Sequence, residues 1–280
     1  MEDPTELAVK RAIRIMRDNL GEQLTVDDMA RAAMFSKFHF TRVFQRATGV
    51  SPGRFLSALR LQRAKQLLIS TSLNVADISL RVGYNSVGTF SSRFSRSVGM
   101  SPTTFRRLTG FASHIPTDPA WRVGQASSAQ VHGEIRRSGP DAGGLVFLGL
   151  FADRVPEGLP VRCAVLPGPG RYRFDTVPAG TWYLMAQSVT GDAEQAFAQP
   201  DEMDQTVFVA TNGPLTIRKD SVVHADVELK PIRVLDPPVL LALLDVRRQA
   251  LVRAGERDDA AAPLVGAGLR GAGPIQGNAA

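Results

Sequence analysis

The spacing of apolar residues changes along the chain and divides it into a helical first part and a strand-rich second part. Over residues 6–20 the apolar positions recur close to every 3.6 residues, with basic residues on the other side. This pattern predicts a helix that ends at Gly21. From residue 131 onwards, apolar runs of strand length are separated by glycine and proline, which favours a β structure.

A single pattern of apolar and capping residues occurs twice in the helical part. Residues 24–35 match residues 73–84 at an offset of 49 positions, and residues 36–52 match residues 86–102 at an offset of 50. One extra residue, near Asn85, accounts for the change of offset and falls in a turn. Each copy predicts two helices joined by a short turn, which is the helix-turn-helix layout.

Polar residues suited to helix caps precede the predicted helices. Thr25 comes before the first short helix and Asp28 lies three positions later, which is the spacing of a capping box. Asn74 and Asp77 repeat this spacing in the second copy. The residues predicted to cap the second helix of each copy are Ser36 and Ser86.

The second helix of the first copy has two distinct faces. Phe40, Val43 and Phe44 fall at helical spacing and predict a stripe that faces the core. The opposite face, here called the first strip, is basic and amide-bearing with one aromatic, which suits base edges and the thymine methyl in a DNA major groove. A solvated face, or a core position for the aromatic, is the alternative. The predicted base or groove contacts of the first strip are Lys37, Phe38, Thr41, Arg42 and Gln45.

The matching face of the second copy, here called the second strip, carries fewer long polar side chains. Gly88 inside a helix costs about 1 kcal/mol relative to alanine, unless DNA approaches the backbone closely there. We expect the second strip to read fewer bases and to depend more on phosphates. Its predicted contacts are Val87, Gly88, Thr89, Ser92 and Arg93.

A longer helix is predicted to join the two copies, with Pro52 in its first turn. From Arg54 to Leu68 it would span ~22 Å at 1.5 Å per residue. A stiff spacer of this size can hold two reading helices roughly one DNA turn, ~34 Å, apart. Arg60 and Arg63 on its polar side are candidate phosphate contacts, with a solvated face as the alternative. The other predicted phosphate contacts are Ser36, Arg46, Ser86 and Arg96.

The distribution of charge agrees with a polyanionic partner for the helical part. Residues 1–111 contain 17 basic and 8 acidic residues, a net charge of +9. Residues 112–280 contain 16 basic and 19 acidic residues, a net charge of −3. A compact basic domain joined to a mildly acidic one indicates that the first part meets a polyanion, with a solvated basic surface as the alternative.

Residues 6–108 resemble the DNA-binding domain of the AraC/XylS family of bacterial transcription regulators. The resemblance is carried by LTVDDMA, SKFHFTRVFQRATGVSP, RLQRAKQLL, VADIS, VGYNSVGTFSSRFSRSVGMSP and FRR. It implies seven helices and the insertion of both reading helices into successive major-groove segments. The base-reading positions that it implies are Phe38, Thr41, Arg42, Val87, Gly88, Thr89 and Ser92. Val87-Gly88 and Ser92 depart from the longer polar residues and the arginine usual in the family, which weakens the expectation for the second strip.

The remaining residues predict a second domain. Residues 111–130 have the composition of a linker, and the strand-length runs over residues 131–236 predict an antiparallel β-sandwich of seven or eight strands. The segment Gly170–Ala186 resembles the transthyretin-like or carboxypeptidase-regulatory modules, which implies a fold rather than an activity. Residues 237–255 predict an amphipathic helix, and residues 256–280 predict a disordered tail. The predicted strands are VHGEI, GLVFLGLF, VRCAVL, RYRFDTV, TWYLMAQSV, QTVFVAT, PLTIR and SVVHADVELK.

The residue types needed for catalysis or metal binding are scarce. His132, His224 and Cys163 are not at metal-ligand spacing and are expected to be ordinary strand residues. Cys163 also lacks the Pro-Cys-His context of a DNA-repair alkyltransferase, a class that fuses a similar DNA-binding fold to an enzyme. We therefore expect a protein that is not an enzyme and uses no cofactor or metal. The acidic start, the single cysteine and the shortness of the longest apolar run predict a cytoplasmic protein without a membrane segment.

Together these patterns predict a multidomain α + β protein. Its helical domain, residues 5–110, carries two helix-turn-helix units joined by a long helix, and a β-sandwich, a helix and a disordered tail follow. The expected function is a sequence-specific transcription regulator whose partner is double-stranded DNA. RNA polymerase contact, a small-molecule effector and homodimerisation stay open. The alternative is an interaction scaffold with non-specific DNA binding and a protein- or carbohydrate-binding β domain.

Overall fold

The computed structural model describes residues 3–108, 110, 128–138, 146–155, 157–189 and 207–240. The first of these ranges contains the seven helices that the family resemblance implies. They are α1 (Pro4–Asp18), α2 (Val26–Ala32), α3 (Lys37–Thr48), α4 (Pro52–Ser70), α5 (Val75–Arg81), α6 (Val87–Val98) and α7 (Pro102–Arg107).

The internal repeat is confirmed in the bounds of the helices. Helices α2 and α5 begin 49 positions apart, whereas α3 and α6 begin 50 apart, so the extra residue lies in the turn before α6. Gly49 and Gly99 end α3 and α6 in the left-handed region, with φ of 79° and 90°. Glycine adopts this conformation without the steric penalty of a side chain. Each copy is therefore one helix-turn-helix unit, and both units end at a left-handed glycine.

Each unit packs around three phenylalanine rings at equivalent positions. The rings in the first unit are Phe40, Phe44 and Phe55, with both successive centroid distances at 5.4 Å. Those in the second unit are Phe90, Phe94 and Phe105, with both successive distances at 5.6 Å. Tilted and edge-on contacts of this kind stabilise aromatic clusters beyond their buried area.

Helix α4 belongs to both units because its two halves pack into different cores. Phe55 and Leu59 lie in the core of the first unit, and Leu61 and Leu68 lie in that of the second. At 19 residues the helix is about 28 Å long. A helix buried on several sides loses the one-sided apolar pattern, so the sequence did not single out Leu61 as a core residue.

The predicted caps are confirmed except at one helix. Thr25 and Asp28 form the capping box of α2, and Asn74 accepts a hydrogen bond from the Asp77 backbone N–H. The hydrogen bonds from the Thr25 hydroxyl and backbone, followed by that from Arg31, lower the pKa of Asp28 to about 2. Ser36 precedes α3, but its side chain makes no capping hydrogen bond.

The prediction that Gly21 ends the first helix is wrong. Helix α1 ends at Asp18, and Asn19 caps it by donating its backbone and side-chain N–H groups to the Ile15 carbonyl. The two N–H groups of Asn19 thus close the last turn on one carbonyl, so the helix ends there and not at the glycine.

The second part of the chain forms eight strands in one continuous sheet. The strand order is β3-β2-β5-β6-β8-β1-β4, and β7 pairs with β1 beside this path. The strands are β1 (Gln130–Arg137), β2 (Val146–Phe151), β3 (Arg162–Leu166), β4 (Gly170–Phe174), β5 (Gly180–Val189), β6 (Val207–Ile217), β7 (Val222–His224) and β8 (Val227–Pro231).

The predicted antiparallel sandwich is not what the described residues show. The sheet curls around one core until its two end strands, β3 and β4, lie near each other, so it is nearly closed. Strand β1 also pairs in parallel with both β7 and β8. Alternating inward positions are common to a sandwich and a curled sheet, so the apolar pattern alone does not separate the two.

Two predicted strand boundaries are also wrong. The segments predicted as two strands around Gly213-Pro214 form one strand, β6. Its register against β5 shifts between Trp182 and Leu184, where Gly213 and Pro214 both lie opposite Tyr183. A bulge accommodates a residue that cannot donate a backbone hydrogen bond. The last predicted strand is instead interrupted after His224, where the Ala225 N–H donates to the His132 carbonyl.

The β part of the chain contributes residues to both hydrophobic cores of the helical part. Val155, from the loop between β2 and β3, and Leu235, from the segment after β8, lie in the core of the first helix-turn-helix unit. Leu240 lies in the core of the second. Residues 237–240 are not helical, and the rest of the predicted helix and tail, with most of the predicted linker, falls outside the described residues. No described helix is long and apolar enough to cross a membrane.

Candidate nucleic-acid interface

The first strip is an uncovered face of α3. Phe38 is 88% exposed although it is aromatic, and Lys37, Arg42 and Gln45 are also exposed. The strip faces outward because the opposite positions of α3, Phe40 and Phe44, are buried in the core. The side chains of the first strip, together with Arg46, surround a shallow depression on the surface. Donors, an acceptor and one exposed ring thus share a single helix face.

Two contacts orient the beginning of this strip. Lys37 Nζ lies 2.9 Å from Asp27 Oδ2, which ties α3 to α2 across the turn. The Thr41 hydroxyl donates to the Lys37 carbonyl at 2.9 Å. Arg42, Gln45 and Arg46 are exposed and extend from this face of the helix.

The second strip has a smaller and flatter surface. Val87 is 41% exposed, and Gly88, Thr89 and Ser92 are exposed with it. Ser86 begins α6 by accepting the Thr89 backbone N–H at 3.4 Å. A side chain added at Gly88 would meet only the Ser86 hydroxyl at van der Waals distance, so the backbone of α6 is open to close approach there.

Comparison with known proteins agrees with this geometry. Residues 29–108 match the family described as "Helix-turn-helix domain". The HTH-type transcriptional activator AarP of Providencia stuartii is 34% identical over 102 residues, which are 36% of this chain and 76% of that protein. The chain belongs to the AraC/XylS family of transcription regulators.

Other relatives match the same third of the chain. The lactose operon transcription activator of Staphylococcus xylosus is 32% identical over 98 residues, 35% of each protein. The chain thus covers about a third of the length of that relative. A solved AraC-type regulator from Chromobacterium violaceum is 31% identical, with a TM-score of 0.36 over 37% of this chain and 92% of that one.

Five of the six residues predicted to contact phosphates in this AraC/XylS regulator are exposed, and Arg60 is half-buried. Ser36 and Ser86 are exposed at the starts of α3 and α6, and Arg46 and Arg96 are exposed in their last turns. Helix N-termini present backbone N–H groups that suit phosphate oxygens. The contacts of these residues with DNA stay predictions.

Arg60 is engaged within the protein. Its Nε donates to the Leu20 carbonyl at 3.0 Å and its Nη2 donates to the Glu22 carbonyl at 2.6 Å. These bonds tie the middle of α4 to the loop after α1. The arrangement favours a structural role over the predicted phosphate contact. Arg63, one turn further on, donates to the Gln66 side chain at 3.2 Å.

Arg93 points away from the second strip and toward the β part of the regulator. Its Nη2 lies 3.6 Å from Glu157 Oε2, and its side chain is 29% exposed. The sequence predicted Arg93 as a groove contact that compensates for Ser92 from a different angle around the helix. Adjacent residues on a helix point about 100° apart, and here that angle directs the Arg93 side chain to Glu157.

Sequence reasoning also missed a cluster of polar side chains between the two parts. Arg54 in the first turn of α4 donates to Asp153 Oδ2 at 2.6 Å and to Glu157 Oε1 at 2.8 Å. Ser97 in α6 donates its hydroxyl to Glu157 Oε2 at 2.9 Å. These partners lie 60 to 103 residues apart in sequence, so no local pattern could have paired them.

A cleft of about 560 Å³ lies between the end of α3 and the sheet. Phe147, Phe151 and Met185 contribute apolar surface to it, and Gln187 lies among its polar residues. The Gln187 Oε1 atom is buried and has no hydrogen-bond partner among the described groups. Buried acceptors without a partner are uncommon, and a cleft of this volume with a mixed lining has the size of a small-ligand pocket.

The candidates for metal or thiol chemistry lie in strands of the sheet: His132 in β1, Cys163 in β3 and His224 in β7. His132 and His224 have ring centroids 5.3 Å apart, and His224 Nε2 lies 3.0 Å from Asp226 Oδ1. Within the described part of the chain, no group of three metal-ligating residues comes together. Burial raises the pKa of the Cys163 thiol, which disfavours the reactive thiolate.

Proposed function

We propose that this chain is a sequence-specific DNA-binding regulator that reads two adjacent major-groove segments, one with α3 and one with α6. The observation that carries the proposal is the exposed first strip, above all Phe38 and Arg42, on a helix whose opposite face is buried. Arginine can make two hydrogen bonds to guanine, and an exposed ring can contact a thymine methyl. The named activators among the relatives support an activating role.

The two reading helices contribute unequally in this proposal. The first strip supplies most of the base discrimination because it carries the long polar side chains. The second strip, with Gly88 and Ser92, brings the α6 backbone close to DNA and depends more on phosphates. The excess of basic residues in the helical part gives binding that weakens as salt rises. The proposed location is the cytoplasm, where a bacterial regulator meets its DNA.

Selection of bound duplexes from a random pool by the full chain tests this function. Two enriched blocks about one helical turn apart are the expected result. One enriched block would remove α6 from the base readers. An absence of enrichment at moderate salt would overturn sequence-specific reading and favour the non-specific scaffold.

We propose in addition that the sheet is an effector domain whose ligand occupies the cleft near the end of α3. Support comes from the cleft volume, from its mixed apolar and polar lining and from the buried Gln187 acceptor. A thermal-shift screen of small hydroxylated and amine-bearing compounds tests it. A compound that stabilises the wild type but not Gln187→Leu is expected, and equal stabilisation of both proteins would place that ligand elsewhere. Homodimerisation and RNA polymerase contact stay predictions.

A further inference from the structure

One loop of the sheet reaches both reading helices. The described residues of this segment, 153–155 and 157–159 between β2 and β3, are here called the bridging loop. The Arg154 side chain lies against Gly49, the residue that ends α3. The Gly158 N–H donates to the Ser97 carbonyl in the last turn of α6 at 3.2 Å. A single short segment therefore contacts the carboxyl ends of both reading helices.

Glu157 carries most of the polar contacts of the bridging loop. Its two carboxylate oxygens divide between the helices: Oε1 accepts from Arg54 at 2.8 Å, and Oε2 accepts from the Ser97 hydroxyl at 2.9 Å. Arg93 Nη2 lies 3.6 Å from the same Oε2. Only 16% of the Glu157 side chain is exposed, so this charge is screened little by solvent. One carboxylate thus joins the start of α4 to α6.

The internal repeat supplies independent support for this role. At an offset of 50, Arg93 and Ser97 correspond to Val43 and Ala47 in α3. Val43 is buried, and Ala47 packs against the first core as an apolar residue should. The second copy has polar side chains at the same two positions, and both contact Glu157. Polar residues thus replace apolar ones at the two positions of α6 that contact the Glu157 carboxylate of the bridging loop.

We propose that Glu157 is a positioning residue for DNA recognition, which holds α6 at a fixed place relative to α4 and the first unit. The distance between the two DNA segments that the protein accepts is then set partly from the sheet. Loss of the carboxylate leaves Arg54 and Arg93 without their shared partner and frees α6 to shift. This inference rests on the proposed two-segment reading, and it adds the residue that fixes the spacing.

The test uses the full chain and its selected two-block duplex. Spacing variants of that duplex, lengthened or shortened by one and two base pairs between the blocks, are titrated with wild type, Glu157→Gln, Glu157→Asp and Ser97→Ala. Glu134→Gln is the matched control, because it removes the same charge from β1, where Glu134 pairs with Arg136. Thermal melting shows whether each variant is folded.

We expect the wild type to bind the duplex with its selected spacing more tightly than the spacing variants. In Glu157→Gln this affinity ratio should fall about tenfold, the size expected when a charged hydrogen-bond partner is removed. Glu157→Asp and Ser97→Ala should lose less, because each keeps part of the contact. A preference that is unchanged in Glu157→Gln overturns the proposal. So does an equal gain in affinity at every spacing, which would mean that Glu157 only neutralises Arg93.

The failure of the underlying function gives a different result. A wild type that enriches a single block, or none, overturns two-segment reading and the positioning role together. The wild type can instead enrich two blocks with a sharp spacing preference. If that preference is kept in Glu157→Gln, the positioning role alone is overturned. If Glu157→Gln does not fold, the folded Ser97→Ala variant decides by the same spacing ratio.

Discussion

Met34 and Gly83 occupy the same turn position in the two helix-turn-helix units, and both have a left-handed backbone, with φ of 59° and 80°. Their surroundings differ. Met34 is 76% exposed, whereas a side chain at Gly83 would overlap the Leu20 carbonyl oxygen and the Arg60 guanidinium. The first unit tolerates a strained methionine because space is open there, and the second unit requires glycine.

Met34→Gly should stabilise the protein by about 0.5–1 kcal/mol, since a left-handed non-glycine residue costs more than the added chain entropy of glycine. Gly83→Ala should destabilise it by more than about 2 kcal/mol, because strain and overlap with the Leu20 carbonyl act together. Urea unfolding of both variants measures the two changes. A destabilised Met34→Gly would show that the exposed methionine makes contacts that offset its strain.

Lys65 should make stability rise with pH above about 8. Its Nζ donates to the Leu240 carbonyl at 3.0 Å, and burial lowers its pKa from 10.5 to about 8. Between these values the folded state has released the proton that the unfolded state still binds. The free energy of unfolding of the wild type should therefore increase by about 3 kcal/mol relative to Lys65→Met as pH rises from 8 to 10.5.

Urea unfolding of wild type and Lys65→Met at several pH values checks this dependence. Below pH 8 the difference between the two proteins should be constant, because Lys65 is then protonated in both states. Lys219→Met at an exposed turn residue is the control. If the difference in unfolding free energy between wild type and Lys65→Met does not change with pH, burial does not lower the pKa of Lys65.

Arg42→Ala should cost about 1–3 kcal/mol on the preferred duplex and relax discrimination at one base pair, since a bidentate contact to a base is lost. Arg46→Ala, one turn along the same helix, should weaken all duplexes alike, because a phosphate contact carries no sequence information. Competition titrations with single-base variants of the duplex separate the two results. Unchanged discrimination in Arg42→Ala would remove this residue from the base readers.

Arg60→Ala should lower stability by about 1–3 kcal/mol because two backbone carbonyls lose a charged donor. Arg60→Lys should also lower stability, since an ammonium lacks the fork that reaches both carbonyls. A phosphate contact would tolerate lysine. Full stability together with weakened DNA binding in Arg60→Ala would restore the role first predicted from the sequence.

Much of the helical part could be predicted from local signals. The offset of 49 and then 50 placed the extra residue in the turn before α6, and Thr25, Asp28 and Asn74 marked helix starts that the structure confirms. Such signals are reliable because each depends on residues within one turn of helix. The family followed from the same segments. The first helix failed this test because Asn19 and Gly21 are both plausible ends.

The β part was harder to predict because strand pairing is not local. Apolar alternation identified most strands, but it did not reveal that the sheet is continuous, that β1 pairs in parallel with β7 and β8, or that β6 continues through Gly213-Pro214. The pattern records which side of a strand is buried and not which strand lies beside it.

The sequence by itself determined the repeat, most of the caps, the exposed first strip and the family, since each depends on residues that lie close together along the chain. Tertiary structure alone decided which charged side chains are engaged. Arg54 and Arg93 meet Glu157, Arg60 holds the loop after α1, and Lys65 meets Leu240. These pairings join residues 38 to 175 positions apart, and burial and ion pairing at such separations depend on how the chain packs.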